Sequence, residues 1–144
     1  LGEKNFFITR IIPSFYKNLI KDKNNILFYD FSKKSFPKRN YMHVEDIADI
    51  NVKIIQNLEK FKKNYNFFNI NNRKQYSNVE VLKAIAKIIK KKPKYSLKQI
   101  DKKESMSQFH ESKDNLSKYV SFNVKYKNLE KILKTNKKWF KKIY

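Results

Sequence analysis

The sequence predicts an α/β protein in which amphipathic helices pack over a small sheet. Short apolar runs typical of strands alternate with stretches whose apolar residues recur every three or four positions, and turn residues separate the two kinds of segment. A length of 144 residues suits one domain with a packed core. We therefore expect residues 1–144 to form a single domain.

The first half of the chain predicts a helix, a buried strand, a surface loop, a second strand and a longer helix. Their expected ranges are 9–21, 26–29, 30–37, 41–44 and 45 to about 61. Glu45 and Asp46 place negative charge at the start of the longer helix, where the helix dipole favours it. The core-facing stripe of that helix is Ile47, Ile50, Ile54 and Leu58.

The second half predicts a short strand over 67–70 and then a helix that begins with a capping box, Ser77 with Glu80. This helix turns Val81, Ile85, Ile88 and Ile89 to the core and ends before Pro93. A strand over 95–97, a loop, a short helix over 112–119 and a final helix from Leu129 follow.

The formal charge of +21 is spread along the whole chain as lysine, and arginine occurs only as Arg10, Arg39 and Arg73. Scattered lysine indicates an A/T-rich coding bias more than a nucleic-acid site, so we expect no nucleic-acid partner. The chain has no cysteine and no apolar run near the ~20 residues that span a bilayer. We expect a cytoplasmic protein with no membrane contact.

The stretch 38–49, KRNYMHVEDIAD, places Arg39 just before a strand and an acidic helix start. Arginine presents a planar fork that holds phosphate through two hydrogen bonds, whereas lysine offers a point charge. An anion site is therefore expected at Arg39. We interpret Tyr41, His43, Val44 and Asp46 as structural, and two histidines are too few for a typical metal site.

The same stretch resembles Val-Arg-Asp-Tyr-Ile-His-Val-x-Asp-Leu-Ala-Asp of the extended short-chain dehydrogenase/reductase superfamily, and most closely of the UDP-glucose 4-epimerases. Flanking segments resemble that family in the same order. They are Gly2-Glu3 with Ile11-Ile12-Pro13, Ile26-Leu27-Phe28, Phe67-Phe68-Asn69-Ile70, Ser77-Asn78-Val79-Glu80-Val81 and residues 122–132. The resemblance implies the C-terminal, substrate-binding portion of such an isomerase of galactose metabolism.

In that family NAD lies on an N-terminal Rossmann domain, which also carries the catalytic Tyr-x-x-x-Lys pair and a Ser or Thr. One glycine cannot build the Gly-rich phosphate loop, and Tyr16 has Ile20 where the pair requires lysine. The resemblance thus implies that the Rossmann half lies upstream of Leu1, that this chain alone is not a catalyst and binds no NAD, and that intact members are homodimers.

The resemblance assigns substrate contacts residue by residue. Arg39 corresponds to the arginine on the UDP diphosphate, and Ile26 and Phe28 to positions whose backbone groups bind uracil. For Ile26 and Phe28, plain core strand residues are an equal alternative. Arg10 falls near the substrate in the family and is alternatively a surface residue.

The family's Arg-x-Gly-Asp segment is altered in this chain. Lys102 takes the place of a second phosphate-binding arginine, Ser105 that of the aspartate on the ribose, and Phe109 a position at the sugar pocket. Lysine keeps the charge and loses the fork, and serine loses a charged acceptor, so UDP binding is expected to be weaker than in the family. Phe109 favours a sugar without an N-acetyl group.

Three other interpretations remain open. The first is a related nucleotide-sugar enzyme, such as a dehydratase, a decarboxylase or a glucuronate epimerase. The second is a basic nucleic-acid-binding module that uses Lys90-Lys91-Lys92 and the final helix. The third is a decayed gene product.

Overall fold

The structure, a computed structural model, describes residues 10–61, 67–70, 74–100 and 116–143, with side chains up to residue 137 in the last range. Within these ranges the chain forms four α-helices and four β-strands. In order they are α1 (Ile11–Ile20), β1 (Asn25–Tyr29), β2 (Lys38–Asn40), α2 (Val44–Ile55), β3 (Gln75–Ser77), α3 (Asn78–Ile89), β4 (Tyr95–Gln99) and α4 (Leu129–Ile143). Short 3-10 turns lie at Leu58–Lys60 and Leu116–Lys118.

The four strands form two separate pairs. Strands β1 and β4 pair in parallel, with Leu27 opposite Leu97. Strands β2 and β3 pair antiparallel, with Arg39 opposite Tyr76. Because β3 runs directly into α3, the β2 ladder is held at the N-terminal end of that helix.

The main core lies where α1, α3 and α4 pack on the inner face of β1. Its buried side chains are Phe15, Tyr16, Leu19, Leu27, Tyr76, Val81, Leu82, Ile85, Ala86, Ile88, Leu129 and Leu133. The Tyr16 hydroxyl donates a hydrogen bond to the Leu133 carbonyl at 3.3 Å, and burial raises the pKa of Tyr16 to about 12. Amphipathic helices over a small sheet, the predicted fold class, are therefore confirmed.

A second, smaller cluster covers one side of α2. Ile50, Leu116 and Val120 are buried there, and six partly buried apolar side chains pack against them. These six are Met42, Ile54, Phe61, Phe68, Ile70 and Phe122. Helix α2 thus meets the segment 116–122, which is far from it in sequence.

Two of the predicted strands are wrong. The strand expected at 41–44 lies three residues earlier, at Lys38–Asn40, because Val44 already belongs to α2 and His43 caps that helix. Residues 67–70 have no strand structure, since no neighbouring strand in the described ranges offers them a ladder. Phe68 and Ile70 instead pack in the second cluster.

Two helix predictions also need correction. Helix α2 ends at Ile55, so Leu58 falls in the 3-10 turn and is exposed, and Ile47 lies outside the buried stripe. Helix α1 begins at Ile11, with Pro13 in its first turn as expected, while Thr9 lies outside the described residues. Of the predicted 112–119 helix, residues 116–118 form a 3-10 turn and 112–115 lie outside the described residues.

Helix α3 confirms the predicted capping box. The Glu80 backbone N–H donates to Ser77 Oγ at 3.3 Å, and the Glu80 carboxylate accepts from the Ser77 backbone N–H at 2.7 Å. The helix ends at Lys90, which has the left-handed φ of 58°, and the Lys91 N–H returns to the Ala86 carbonyl at 2.9 Å. Glycine usually occupies such a position because it has no Cβ to clash. None of the described helices has the length and apolar character needed to cross a membrane.

Replacing Lys90 by glycine is expected to raise the free energy of unfolding by about 0.5–1 kcal/mol, since glycine adopts the left-handed conformation without strain. The matched control Lys87→Gly, inside the same helix, should lower the free energy of unfolding by about 1 kcal/mol. Urea unfolding followed by circular dichroism measures both. A destabilising Lys90→Gly would mean that the helix does not end in this conformation.

Candidate functional site

Arg39 lies on the same face of the β2–β3 ladder as its partner Tyr76, because residues directly opposite in an antiparallel pair share a face. Tyr76 is buried in the main core, and Arg39 is half-buried. Its Nη1 donates to the Lys38 carbonyl at 3.2 Å. The guanidinium also lies close enough to Tyr41 to oppose part of the effect by which burial raises the pKa of that hydroxyl. Arg39 is therefore held against the protein surface.

Asn78 connects this ladder to β1. It is the first residue of α3, immediately after β3, and is buried. Its Nδ2 donates to the Phe28 carbonyl at 2.8 Å. The Phe28 end of β1 is thereby held at the N-terminal end of α3, next to the ladder that carries Arg39.

The side-chain amide of Asn78 is only half satisfied. Its Oδ1 is buried and accepts no hydrogen bond from the described residues. A buried amide oxygen without a donor costs roughly 1–3 kcal/mol. A ligand group or a water molecule with an N–H or O–H donor would recover that free energy at this position.

Ile26 and Phe28 are not core residues. Side chains alternate along β1, so that Asn25 and Leu27 are buried, whereas Ile26 is 57% and Phe28 39% exposed. The interpretation of both as plain core residues is therefore wrong, as is the expectation that the whole strand is buried. The sequence could not separate the two faces of a five-residue apolar run.

Within the described ranges, β1 pairs with a strand on one edge, and we call its other edge the open edge. The Asn25 N–H bonds to the Lys94 carbonyl and the Tyr29 carbonyl accepts from Ile100, so the odd-numbered residues of β1 face β4. The N–H and C=O groups of Ile26 and Phe28 consequently point away from β4. The Phe28 carbonyl already accepts from Asn78, while the Ile26 groups lie along the open edge.

The structure describes only one of the four remaining predicted site residues. Arg10 is an exposed residue just before α1, and its carbonyl accepts from the Ser14 N–H at 3.0 Å. Lys102, Ser105 and Phe109 lie outside the described residues. The structure thus connects the ladder that carries Arg39 to Phe28 through Asn78. The functional roles of all these residues stay predictions.

His43 has a structural position, as predicted. It caps α2 by accepting the Glu45 N–H at Nδ1, at 3.2 Å, which places the ring proton on Nε2. Nε2 lies 2.9 Å from Thr135 Oγ1, so it can donate to that hydroxyl. The His43 ring stacks on Tyr126 with a centroid separation of 3.9 Å. The contacts with Thr135 and Tyr126 join the start of α2 to α4 and to the segment before it.

Asp46 has a different role from the one expected. It does not simply supply charge to the helix start, because its buried carboxylate accepts the backbone N–H groups of Lys125 at 2.8 Å and Tyr126 at 3.1 Å. Nearby, the Tyr126 hydroxyl donates to Glu45 at 2.7 Å, and this hydrogen bond lowers the pKa of Glu45. Asp46 therefore holds residues 125–126 against the start of α2.

Sequence reasoning missed Asn78 and Tyr126. Asn78 carried a signal, since it stands where the resembled family has valine and asparagine is a poor helix former that favours turns and caps. Tyr126 carried a weaker signal, because it is an aromatic residue in the segment 122–132 that resembles the family.

Asp46→Ala is expected to lower the free energy of unfolding by about 3 kcal/mol, because two buried backbone N–H groups lose a charged acceptor. Asp49→Ala, an exposed carboxylate on the same helix, should change it by less than about 0.5 kcal/mol. Chemical unfolding of the two variants measures both changes in the free energy of unfolding. Equal effects would refute the structural role of Asp46.

Three of the four described helices offer no free N-terminus to the pyrophosphate of a dinucleotide, whereas the start of α1 has no side-chain cap. Pyrophosphate sites need free N–H groups at a helix N-terminus, usually reached through a glycine-rich loop. Here the starts of α2, α3 and α4 are capped by His43, Ser77 and Asn128, and the single glycine, Gly2, lies outside the described residues. Nor do the described residues place three or more His, Asp or Glu side chains where they could hold a metal ion.

Comparison with known proteins finds similarity in structure. No protein-family model and no curated protein sequence matches this chain. A dTDP-glucose 4,6-dehydratase from Bacillus anthracis in complex with NAD matches 94% of this chain with a TM-score of 0.71 and 18% identity. The UDP-Glc/GlcNAc 4-epimerase of Campylobacter jejuni matches 92% with a TM-score of 0.69 and 23% identity. A UDP-glucose 4-epimerase from Bifidobacterium longum in complex with NAD+ and UDP matches 92% with a TM-score of 0.70 and 19% identity.

The chain spans about two fifths of the length of these solved structures, that is 40%, 40% and 39% of each. At these identities the likeness establishes the fold. It confirms the resemblance drawn from the sequence: the chain has the fold of the C-terminal portion of the extended short-chain epimerases and dehydratases that act on nucleotide sugars.

Proposed function

We propose that this chain is the UDP-sugar-binding portion of an enzyme related to the UDP-glucose 4-epimerases, and that NAD is bound by a separate Rossmann domain. The observation that carries the proposal is the placement of Arg39. It is half-buried on the ladder that Asn78 joins to the Phe28 end of β1. A cation and an open strand edge are thereby held on connected elements.

Arg39 and the open edge of β1 suit the two ends of a nucleoside diphosphate. A guanidinium binds a diphosphate through parallel charged hydrogen bonds. An open strand edge offers N–H and C=O groups, and a uracil ring presents the matching C=O and N–H groups. In this assignment the Ile26 backbone takes the base, Arg39 the diphosphate, and Asn78 keeps Phe28 in position.

A smaller role follows for the exposed side chains of β1. Ile26 and Phe28 present apolar surface on the outer face of the strand. A flat pyrimidine ring that lies against them would remove apolar area from water, which contributes roughly 25 cal/mol per Å² buried. Arg10, Lys102, Ser105 and Phe109 complete the proposed substrate site, with the residue-by-residue roles that the family resemblance implies.

Titration of the chain with UDP by calorimetry tests the proposal. Arg39→Ala is expected to weaken UDP binding about 10- to 100-fold, the effect of losing one charged hydrogen-bonding group, about 1.5–3 kcal/mol. Arg39→Lys should recover only part of the loss, because it restores the charge without the fork.

The matched control is Lys83→Ala, which removes one exposed positive charge from α3 and should leave UDP affinity unchanged. Equal losses in the two alanine variants would contradict a specific site and indicate a diffuse lysine field. In that case binding of an unrelated oligonucleotide would compete with UDP and would fall steeply with salt.

The dehydratase among the similar structures gives a second arm for the same titration. Thymine differs from uracil by one methyl group, so a pocket shaped for uracil should bind UDP better than dTDP. Equal or tighter binding of dTDP would support a dehydratase-like enzyme in place of a 4-epimerase.

A further inference from the structure

Strand β4 is exposed along its whole length, because all five of its residues are accessible to solvent. Tyr95 and Leu97 are each 42% exposed. They lie on the same face of the strand pair as Asn25 and Leu27, their partners in β1, which are buried. The main core therefore covers this face of β1 and leaves the same face of β4 open to solvent.

The backbone of β4 also has an edge to which no strand in the described ranges is paired. Its even-numbered residues direct their backbone groups to β1, as the Lys94 carbonyl does when it accepts from the Asn25 N–H at 3.0 Å. The N–H and C=O groups of Tyr95, Leu97 and Gln99 consequently point away from β1. We call these groups the β4 edge.

The surroundings of the β4 edge are strongly basic. Residues 90–98 read KKKPKYSLK and contain five lysines and no acidic residue. Asp22 forms an ion pair with Lys94, with 2.8 Å between Oδ2 and Nζ, while Lys98 is exposed on the face of β4 opposite Leu97. Lysine along an edge strand discourages pairing between two copies of a chain. A strand that adds to this edge should therefore carry negative charge.

We propose that the β4 edge binds an acidic polypeptide segment, which extends the β1–β4 pair as a third strand. Such a segment would form main-chain hydrogen bonds with the backbone groups of the edge. Because side chains alternate along a strand, its apolar residues would pack on Tyr95 and Leu97 and its acidic residues would lie beside Lys98. The expected partner thus alternates acidic and apolar residues.

A nucleic acid fits the β4 edge less well than a polypeptide does. Phosphate oxygens accept hydrogen bonds from N–H groups but leave the carbonyl groups of the edge unpaired, and those carbonyls alternate with the N–H groups along the strand. The proposed nucleotide site uses the opposite edge of the strand pair, so the two proposals are independent.

Fluorescence anisotropy tests the inference with the full chain and a fluorescein-labelled heptapeptide of alternating glutamate and valine. The wild-type chain should bind this peptide. Leu97→Pro should weaken binding at least about tenfold, because proline removes an N–H of the edge and its ring obstructs an added strand. The matched control Leu97→Val keeps the N–H and an apolar side chain, so it should bind the peptide as the wild-type chain does.

Absence of binding to the wild-type chain, or equal losses in the two Leu97 variants, would overturn the inference. A far-UV spectrum and a UDP affinity equal to those of the wild type show that Leu97→Pro is folded. A second probe needs no variant: the same heptapeptide with every backbone nitrogen methylated should not bind, since it has no N–H to donate. Equal binding of the methylated peptide would also overturn the inference.

The contribution of charge is measured with Lys92→Glu, just before β4, and Lys83→Glu, on α3, which each reverse one exposed charge. Lys92→Glu should weaken peptide binding about fivefold, and Lys83→Glu should have a smaller effect. Equal effects, or equally tight binding of an oligothymidylate that displaces the peptide, would indicate a diffuse lysine field and overturn the inference. A chain that binds UDP and not the peptide would leave the proposed function standing.

Discussion

Among the described residues, the side-chain amide of Asn78 forms a hydrogen bond that joins the two strand pairs. The hydrogen bond from Asn78 to the Phe28 carbonyl ties the parallel β1–β4 pair to the start of α3, and β3 ties α3 to the Arg39 strand. Two-stranded pairs are marginally stable alone and need support from helices. The proposed site therefore depends on this connection more than on either strand pair.

A second constraint fixes the other end of the Arg39 segment. The buried Asp46 carboxylate binds the backbone at residues 125–126, and His43 stacks on Tyr126 while capping α2. Arg39 thus lies on a ladder whose partner Tyr76 belongs to the main core, and shortly before a helix that belongs to the second cluster. Its position follows from long-range contacts on both sides, which is how a site is kept in place when its own strand is three residues long.

The sequence predicted local structure better than long-range partners. The Ser77–Glu80 capping box and the apolar periodicity of α3 are local patterns, and the structure confirms both. Asp46 was expected to serve its own helix because its hydrogen-bond partners lie 79 and 80 residues away, beyond any local signal. The two faces of α2 were likewise not separable, since exposed Ile47 and buried Ile50 have the same side chain.

Among the predicted site residues, Arg39 stood out because arginine is rare in this lysine-rich chain. The backbone roles of Ile26 and Phe28 leave no side-chain signature, so only the strand pairing shows which groups face the open edge. Asn78 could not be identified from the sequence, because polar residues are common at helix starts. Its contact with β1 depends on how the helices and strands pack. The fold class was predictable from local patterns, whereas the strand pairing and the placement of the proposed site residues needed the tertiary structure.

The central claim is that Arg39 and the open edge of β1 form one nucleotide site. Nitrogen-15 NMR during a UDP titration measures this directly, through the Arg39 side-chain Nε–H and the backbone N–H of Ile26. The claim predicts that both signals shift together and give the same dissociation constant. Shifts of scattered lysine-rich segments, with both of these signals unchanged, would contradict it.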